Sequence, residues 1–522
     1  MWRWQSSRTV VVGIALVMFT ACCVMPVGHL LAVSPGGVGF YTAVMLDTRQ
    51  RGLLANSALL GAGTAVLATA IGAPLGLALA RTSLPRKGLL RLALAAPVLL
   101  PPYIVGLAWT YLGSGSGWLA RVVGADLISL WTYSLPAAIL VLSLVFYPVS
   151  MLATEVALRQ IDGRLEEAAL VVASPARVLG RITLPLALPS VLAATLLIFV
   201  LAVSEFGVPG LLRVRVYTTE VFTAFAALYD FTRAILLTVP LLVLCLAVAS
   251  VAALMGGRLL VTRRSAGVRP LVFDSWRQPA TAGVIAVLAT ALVLPLAILV
   301  GEALGARSLS AVFAESGEAI SNSLVLAAAG ATVVVIVAAV LGYGRTRVGA
   351  RIGGIADVLF VGLFAVPSTI VGVGLISLWN RPGPLGMVYG TDAMLLLGYS
   401  ARFLPVAALA VAASARYVPI SHEEAAAVSG AGWLRTMWRI VLPQMRLGLA
   451  AAWVIAFVLA FGELGVSILV APPGEATLPV RVYTLIANTP PSHVAALALL
   501  QAGVIFAPLA ALAAAVSLRE GR

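Results

Sequence analysis

The sequence predicts an all-α polytopic membrane protein with about twelve transmembrane helices in two repeated six-helix halves. Three observations lead there. The 522 residues are 61% hydrophobic and only 10% charged, whereas a soluble globular chain is roughly half apolar and about a quarter charged. Apolar stretches long enough to cross a hydrocarbon core of about 30 Å recur along the whole length. Short polar phrases also return at a nearly constant offset, which marks a duplication. Together these exclude an ordinary soluble enzyme, a disordered protein and a secreted disulfide scaffold.

The spans follow in order. After Met1 to Arg8, the first apolar run reaches about Val33. It outlasts the h-region of a signal peptide and no small-x-small cleavage site follows, so it reads as a retained span. Five more fall near 53–80, 90–112, 134–154, 186–208 and 234–257. A second set lies near 280–301, 321–343, 354–379, 393–414, 445–470 and 494–518. The Arg-rich stretch from Arg258 to Arg277 separates the sets, which gives a first half over 1–260, a linker over 261–279 and a second half over 280–522.

Charge orients these spans. Of the 34 Lys and Arg residues, 24 fall on the side of the N-terminus, 9 on the opposite side, and Arg402 lies inside a span. Basic residues are retained in the cytoplasm during insertion. Both termini and the linker are therefore expected to be cytoplasmic, in a multi-pass membrane protein. The net charge of +14 is then mainly a topology signal, and nucleic acid has no place among the expected partners; membrane lipid does. Cys22, Cys23 and Cys245 sit inside apolar runs, and His29, His422 and His493 are far apart. Neither set has the spacing of a zinc site or a disulfide framework, so no metal site and no catalytic residue is expected.

The duplication is carried by polar matches. Asn56-Ser57 returns as Asn322-Ser323, and Pro101 and Gly106 return as Pro367 and Gly372. "FVLAVSEFGV", ending at Val208, matches "FVLAFGELGV", ending at Val466. Arg215-Val216-Tyr217-Thr218 returns as Arg481-Val482-Tyr483-Thr484. Six spans per half give both repeats the same orientation, related by an axis along the membrane normal.

After the fourth span of each half comes a polar, basic, amphipathic stretch: "IDGRLEEAALVVASPARVLGRITLPLALP" in the first, "VPISHEEAAAVSGAGWLRTMWRIVLPQM" in the second. Each reads as a helix opening on acidic residues, where the helix dipole favours them. A turn and a short Arg-bearing helix follow, and Leu-Pro closes the segment before the next span. Such hairpins suit docking into a groove of a soluble partner; their bland reading is an interfacial helix. These residues resemble the EAA loop of binding-protein-dependent ABC importer permeases: Glu-Ala-Ala, three residues, Gly, nine residues, Ile-x-Leu-Pro. The second half matches throughout, at Glu424, Ala425, Ala426, Gly430, Ile440, Leu442 and Pro443, with Glu423 preceding. The first matches at Glu167, Ala168, Ala169, Ile182, Leu184 and Pro185, with Glu166 preceding. It has Val172 and Ala173 where the glycine belongs and is one residue shorter, so its turn is expected to differ.

The resemblance implies a type I importer permease fold in a bacterial inner membrane. It also implies two copies of a cytoplasmic ABC ATPase docked on the two loops, and a periplasmic or lipid-anchored substrate-binding protein on the other side. The chain itself is expected to be no enzyme and to bind no cofactor, with ATP used by the partner subunit. Its one lysine, Lys87, lies between Arg86 and Gly88, which does not fit a phosphate-binding Gly-Lys-Ser/Thr loop.

Fusion of both halves in one chain resembles the ferric-iron and thiamine importer permeases, and "ARFLP", "SEFG", "GELG" and "LPVRVYTL" resemble the iron group. Glu205 and Glu463 stand at equivalent positions. Membrane-edge carboxylates usually face a cavity or a partner, so the pair either passes a cation, or each caps a neighbouring helix or pairs with Arg402 or Arg481. Arg402 has Val145 near its equivalent position in the first half. It binds an anionic group, gates a pathway, or neutralises a carboxylate such as Glu463. Pro101 and Pro367 break helices at depth, as in helices lining transport cavities, or serve tight packing. A secondary transporter would leave both hairpins unexplained. A membrane enzyme would need clustered catalytic groups that the spans do not offer.

Overall fold

The computed structural model describes residues 2–33, 47–115, 117–257, 273–305 and 309–520. The expected linker 261–279 lies outside them as far as residue 272. The described residues form helices joined by short turns, with no strand among them. Among the described residues ten helices are long and apolar enough to cross a membrane, and the number is twelve if each of two bent pairs is one span. The chain is thus an all-α, multi-pass membrane protein.

The third and ninth spans are the bent ones. Lys87–Leu99 meets Pro102–Gly113 at 85°, and Ala350–Phe364 meets Ser368–Trp379 at 92°. Proline chemistry places both breaks. A residue before proline is pushed out of the helical region, and Leu100 (ψ 133°) and Pro101 (ψ 128°) are both extended. In the second half Pro367 (ψ 139°), which precedes Ser368 rather than a second proline, is extended at the break.

Other prolines leave their helices unbroken, which departs from the expectation that Leu-Pro closes the polar segments. Leu184-Pro185 and Leu442-Pro443 lie within continuous runs, Pro175–Ser204 and Trp433–Phe461. The reason is a single widened turn ahead of each proline. Leu184 N–H donates to Leu179 O, and Leu442 N–H donates to Met437 O, five residues back. A proline in a helix lacks a donor and crowds the carbonyl four residues before it, and a π-turn absorbs that misfit. The same device precedes Pro26, at Thr20–Val24, and Pro295, at Ala289–Val293.

The chain divides into two compact units that draw on both halves of the sequence. One comprises Gly36–Glu220, Ala247–Ala314 and Thr484–Arg522; the other comprises Met1–Pro35, Val221–Leu246 and Glu315–Tyr483. Each therefore takes the four central spans of one half and end spans of the other. In the first unit, Thr48–Arg81 packs along Leu135–Gln160, and Gly72 and Gly76 let its backbone approach Tyr147 O and Met151 O. Small residues four apart allow such close helix contact. Val284, Ala291 and Ala502, from the second half of the sequence, join this core. In the other unit, Phe19 meets Phe360 edge to face at 5.4 Å, and Cys23 Sγ donates to Ser400 O at 3.6 Å.

The serine of the repeated Asn-Ser pair has one job in both units. Ser57 Oγ accepts from Tyr217 N–H at 2.9 Å, and Ser323 Oγ accepts from Leu478 N–H at 2.5 Å. Each serine pins the loop after the fifth or eleventh span to the long helix before it.

Candidate functional site

The two polar segments form helical hairpins. The first opens on Asp162, whose carboxylate accepts from Arg164 N–H at 3.0 Å and caps Gly163–Leu170. Its second arm, Pro175–Val178, runs through the π-turn into the fifth span. The second hairpin pairs Ile420–Val428 with Trp433–Thr436.

Their turns differ where the sequences differ. Gly430 sits at φ +79° and Ala431 N–H then donates to Ala426 O at 3.0 Å. A left-handed residue ends a helix at little steric cost only when it is glycine. The first turn holds no left-handed residue: Val172 and Ala173 N–H both donate to Ala169 O. Being one residue shorter, it closes with ordinary backbone. Both tips are apolar and uncovered, with Val171 83%, Val172 82% and Val428 90% exposed.

The neighbouring glutamates point opposite ways. Glu167 and Glu424 are exposed, as are Ala168, Ala425 and Gly430; Ala169 is half-buried and Ala426 buried. Leu184, Pro185 and Pro443 are exposed, and Leu442 is half-buried. Glu166 and Glu423, one residue earlier and so about 100° around the helix, are buried. Glu166 accepts from Arg81 at 2.7 Å and from the Thr183 hydroxyl at 2.9 Å, while Arg81 also donates to Leu158 O at 2.9 Å. Glu423 accepts from Arg347 at 2.6 Å and from the Tyr343 hydroxyl at 2.5 Å, while Arg347 also donates to Val418 O at 3.1 Å. Arg81 and Arg347 end the helices Thr48–Arg81 and Gly317–Arg347.

These two arginines escaped the sequence reading, although the signal was present. They stand at the same offset as the Asn-Ser repeat, each just before a polar loop. A further ion pair lies near each. Arg91 grips Glu155 with two nitrogens, and Arg159 joins it at 2.7 Å. Arg345 grips Asp357 through two nitrogens, at 2.7 and 2.5 Å. The second hairpin also borders an open cleft of about 470 Å³, lined by His422, Ala425, Ala426, Ser429, Arg435 and Arg439 among others.

Arg402 has a role the sequence reading did not foresee. Its guanidinium donates to Phe364 O at 2.8 Å and also to Val366 O, and it stacks over the Phe364 ring. Phe364 ends the first arm of the broken ninth span and Val366 lies just beyond it, where no intrahelical donor remains. In the other unit Tyr147 serves the third span, donating to Leu94 O at 2.8 Å. Glu205 and Glu463 also cap locally: Glu205 Oε1 accepts from Gly207 N–H at 2.9 Å, and Glu463 Oε1 from Val466 N–H at 3.0 Å. Pro101 and Pro367 are both buried at the bends. Among the described residues no group of three His, Cys, Asp or Glu side chains has metal-binding geometry.

Comparison with known proteins bears on this arrangement. The family described as binding-protein-dependent transport system inner membrane component matches twice, over residues 72–261 and 335–518, and each match contains one hairpin. The Fe(3+)-transport system permease protein FbpB 2 of Haemophilus influenzae is 22% identical over 488 residues, covering 92% of both chains. The molybdenum transport system permease protein ModB of Mycobacterium tuberculosis is 32% identical over 169 residues, covering 32% of this chain and 63% of ModB.

Proposed function

The chain belongs to the family of binding-protein-dependent transport system inner membrane components, and from that premise we propose that it imports ferric iron with ATP supplied by a separate subunit. The observation that carries the cargo is the similarity to an Fe(3+) permease along 92% of both chains, with both halves fused in each. The local similarity to a molybdenum permease keeps an oxyanion as the second reading.

In this reading the two hairpins are the docking elements for two ATPase subunits. Their exposed apolar tips and exposed Glu167 and Glu424 support it, because apolar surface left open beside polar groups marks an interaction site. The Arg and Lys bias supports a cytoplasmic location for the hairpins and both termini in this reading. A binding protein then delivers cargo from the opposite side. Closure of the ATPase pair would draw the hairpins together, open the permease toward the loaded binding protein, and reset after hydrolysis.

The test is uptake of labelled ferric iron, with labelled thiamine and molybdate in parallel, in cells with and without the gene. Iron uptake is expected to vanish on deletion and to return with the gene, but not with the Glu167→Ala/Glu424→Ala chain. Unchanged iron uptake with loss of one of the other cargoes would overturn the cargo and leave the importer standing.

A further inference from the structure

The geometry points to Arg81 and Arg347 as positioning residues that transmit movement of each hairpin into the membrane-spanning helices; this rests on the importer reading above. Each guanidinium is the last residue of a long helix and binds two other elements at once. Arg81 joins Thr48–Arg81 to the carbonyl of Leu158, in Leu135–Gln160, and to Glu166 on the hairpin. Arg347 joins Gly317–Arg347 to the carbonyl of Val418, just after Asp392–Ala415, and to Glu423 on the other hairpin.

A hairpin that carries load needs a stiff root. Exposed ion pairs are loose, because water and salt compete for both partners. The Arg81 and Glu166 side chains are 2% and 1% exposed, and those of Arg347 and Glu423 are 10% and 7% exposed. There the bonds are strengthened by the lower dielectric and cannot exchange with solvent. The division of labour on the helix is also clear. Glu167 and Glu424 face outward, where a partner would meet them, while the preceding glutamates face the roots.

The two roots are not identical. Glu166 also takes the Thr183 hydroxyl, from the π-turn that continues the hairpin's second arm, so one carboxylate ties both arms to the span. Glu423 instead takes Tyr343, from the same helix as Arg347. In the second hairpin the arms are linked separately, by His422 Nδ1 and Gln444 Oε1 at 3.2 Å. Loss of the first root should therefore loosen a whole hairpin, and loss of the second mainly its first arm.

The experiment uses the full chain with its ATPase in proteoliposomes, with nitroxide labels on Ser83→Cys and Arg164→Cys, two exposed positions on either side of the first root. Distances are read with and without Mg·ATP and orthovanadate. In the unaltered chain the label separation should stay within about 1 Å on trapping, because root and span move together, whereas in Arg81→Met/Glu166→Leu it should change by more than about 2 Å, beyond ordinary small helix shifts. Removing both charges leaves no unpaired ion in the interior. A double variant that assembles, hydrolyses ATP and keeps the unaltered separations would overturn the proposal. Should the double variant fail to assemble, Arg81→Lys keeps the charge but loses the forked grip. It must then show a smaller change of the same kind, and unaltered behaviour would again overturn the proposal. An unaltered chain that recruits no ATPase overturns the importer reading and this inference with it. One that recruits an ATPase, with variants that track it, overturns this inference alone.

Discussion

At the scale of single residues, adjacency in sequence conceals opposite environments. Glu166 and Glu167 differ by one position and by the whole of their surroundings. Removing Glu166 strands the Arg81 guanidinium in the interior, and breaking a buried pair from one side costs about 3–5 kcal/mol. Glu166→Ala is therefore expected to lower the midpoint of thermal unfolding in detergent markedly. Glu167→Ala removes only an exposed charge, which is worth within about 0.5 kcal/mol, so its midpoint should match the unaltered chain. Under the proposed docking role, its defect should appear in ATPase docking. Equal midpoints for the two variants would show that the Arg81–Glu166 pair is not a structural root.

At the scale of elements, proline has more than one outcome here, and its surroundings differ with the outcome. A π-turn precedes Pro185 and Pro443 and the helix continues, as it does through Pro74, Pro148 and Pro405 without one. Where the residues around the proline are extended, the helix breaks and its last carbonyls need donors. Arg402 supplies them to the ninth span, and Tyr147 to the third. Hydrogen bonds from a charged donor contribute about 1.5–3 kcal/mol each. Arg402→Met loses two such bonds and is thus expected to destabilise the chain by about 3–6 kcal/mol in heat or denaturant titration, and Arg402→Lys to recover part of it. A chain with Arg402→Met that keeps its stability but loses transport would assign Arg402 to the cargo pathway instead.

At the scale of the whole molecule, the duplication and the compact units cut the chain differently. Each unit contains segments from both halves, so neither half holds a complete unit. Residues 1–260 and 261–522 expressed separately should each be degraded or aggregate, because spans evolved to pack on the missing half would face lipid with the wrong surface. Expressed together, the fragments should co-purify through a tag on either one. A stable, monodisperse single half in size-exclusion chromatography would contradict the division of the units.

Much of this protein is determined by sequence alone. Apolar run length and Lys/Arg asymmetry depend on the bilayer as solvent, so the spans from Arg8–Val33 to Pro491–Pro508 were legible without any knowledge of packing. The duplication and the two hairpins were legible for a similar reason: Asn-Ser, Glu-Ala-Ala and Leu-Pro are polar or rigid punctuation against an apolar background. The shorter turn of the first hairpin followed from its missing glycine, since left-handed backbone is a local matter. Partnership was not legible. That Glu166 meets Arg81, that Arg402 serves carbonyls in the ninth span, and that the first helix packs on the second half are contacts between residues far apart in the chain. Local pattern carries no information on which distant donor reaches which acceptor. Only the tertiary structure decides it, because a buried charge is stable only where the fold brings its partner.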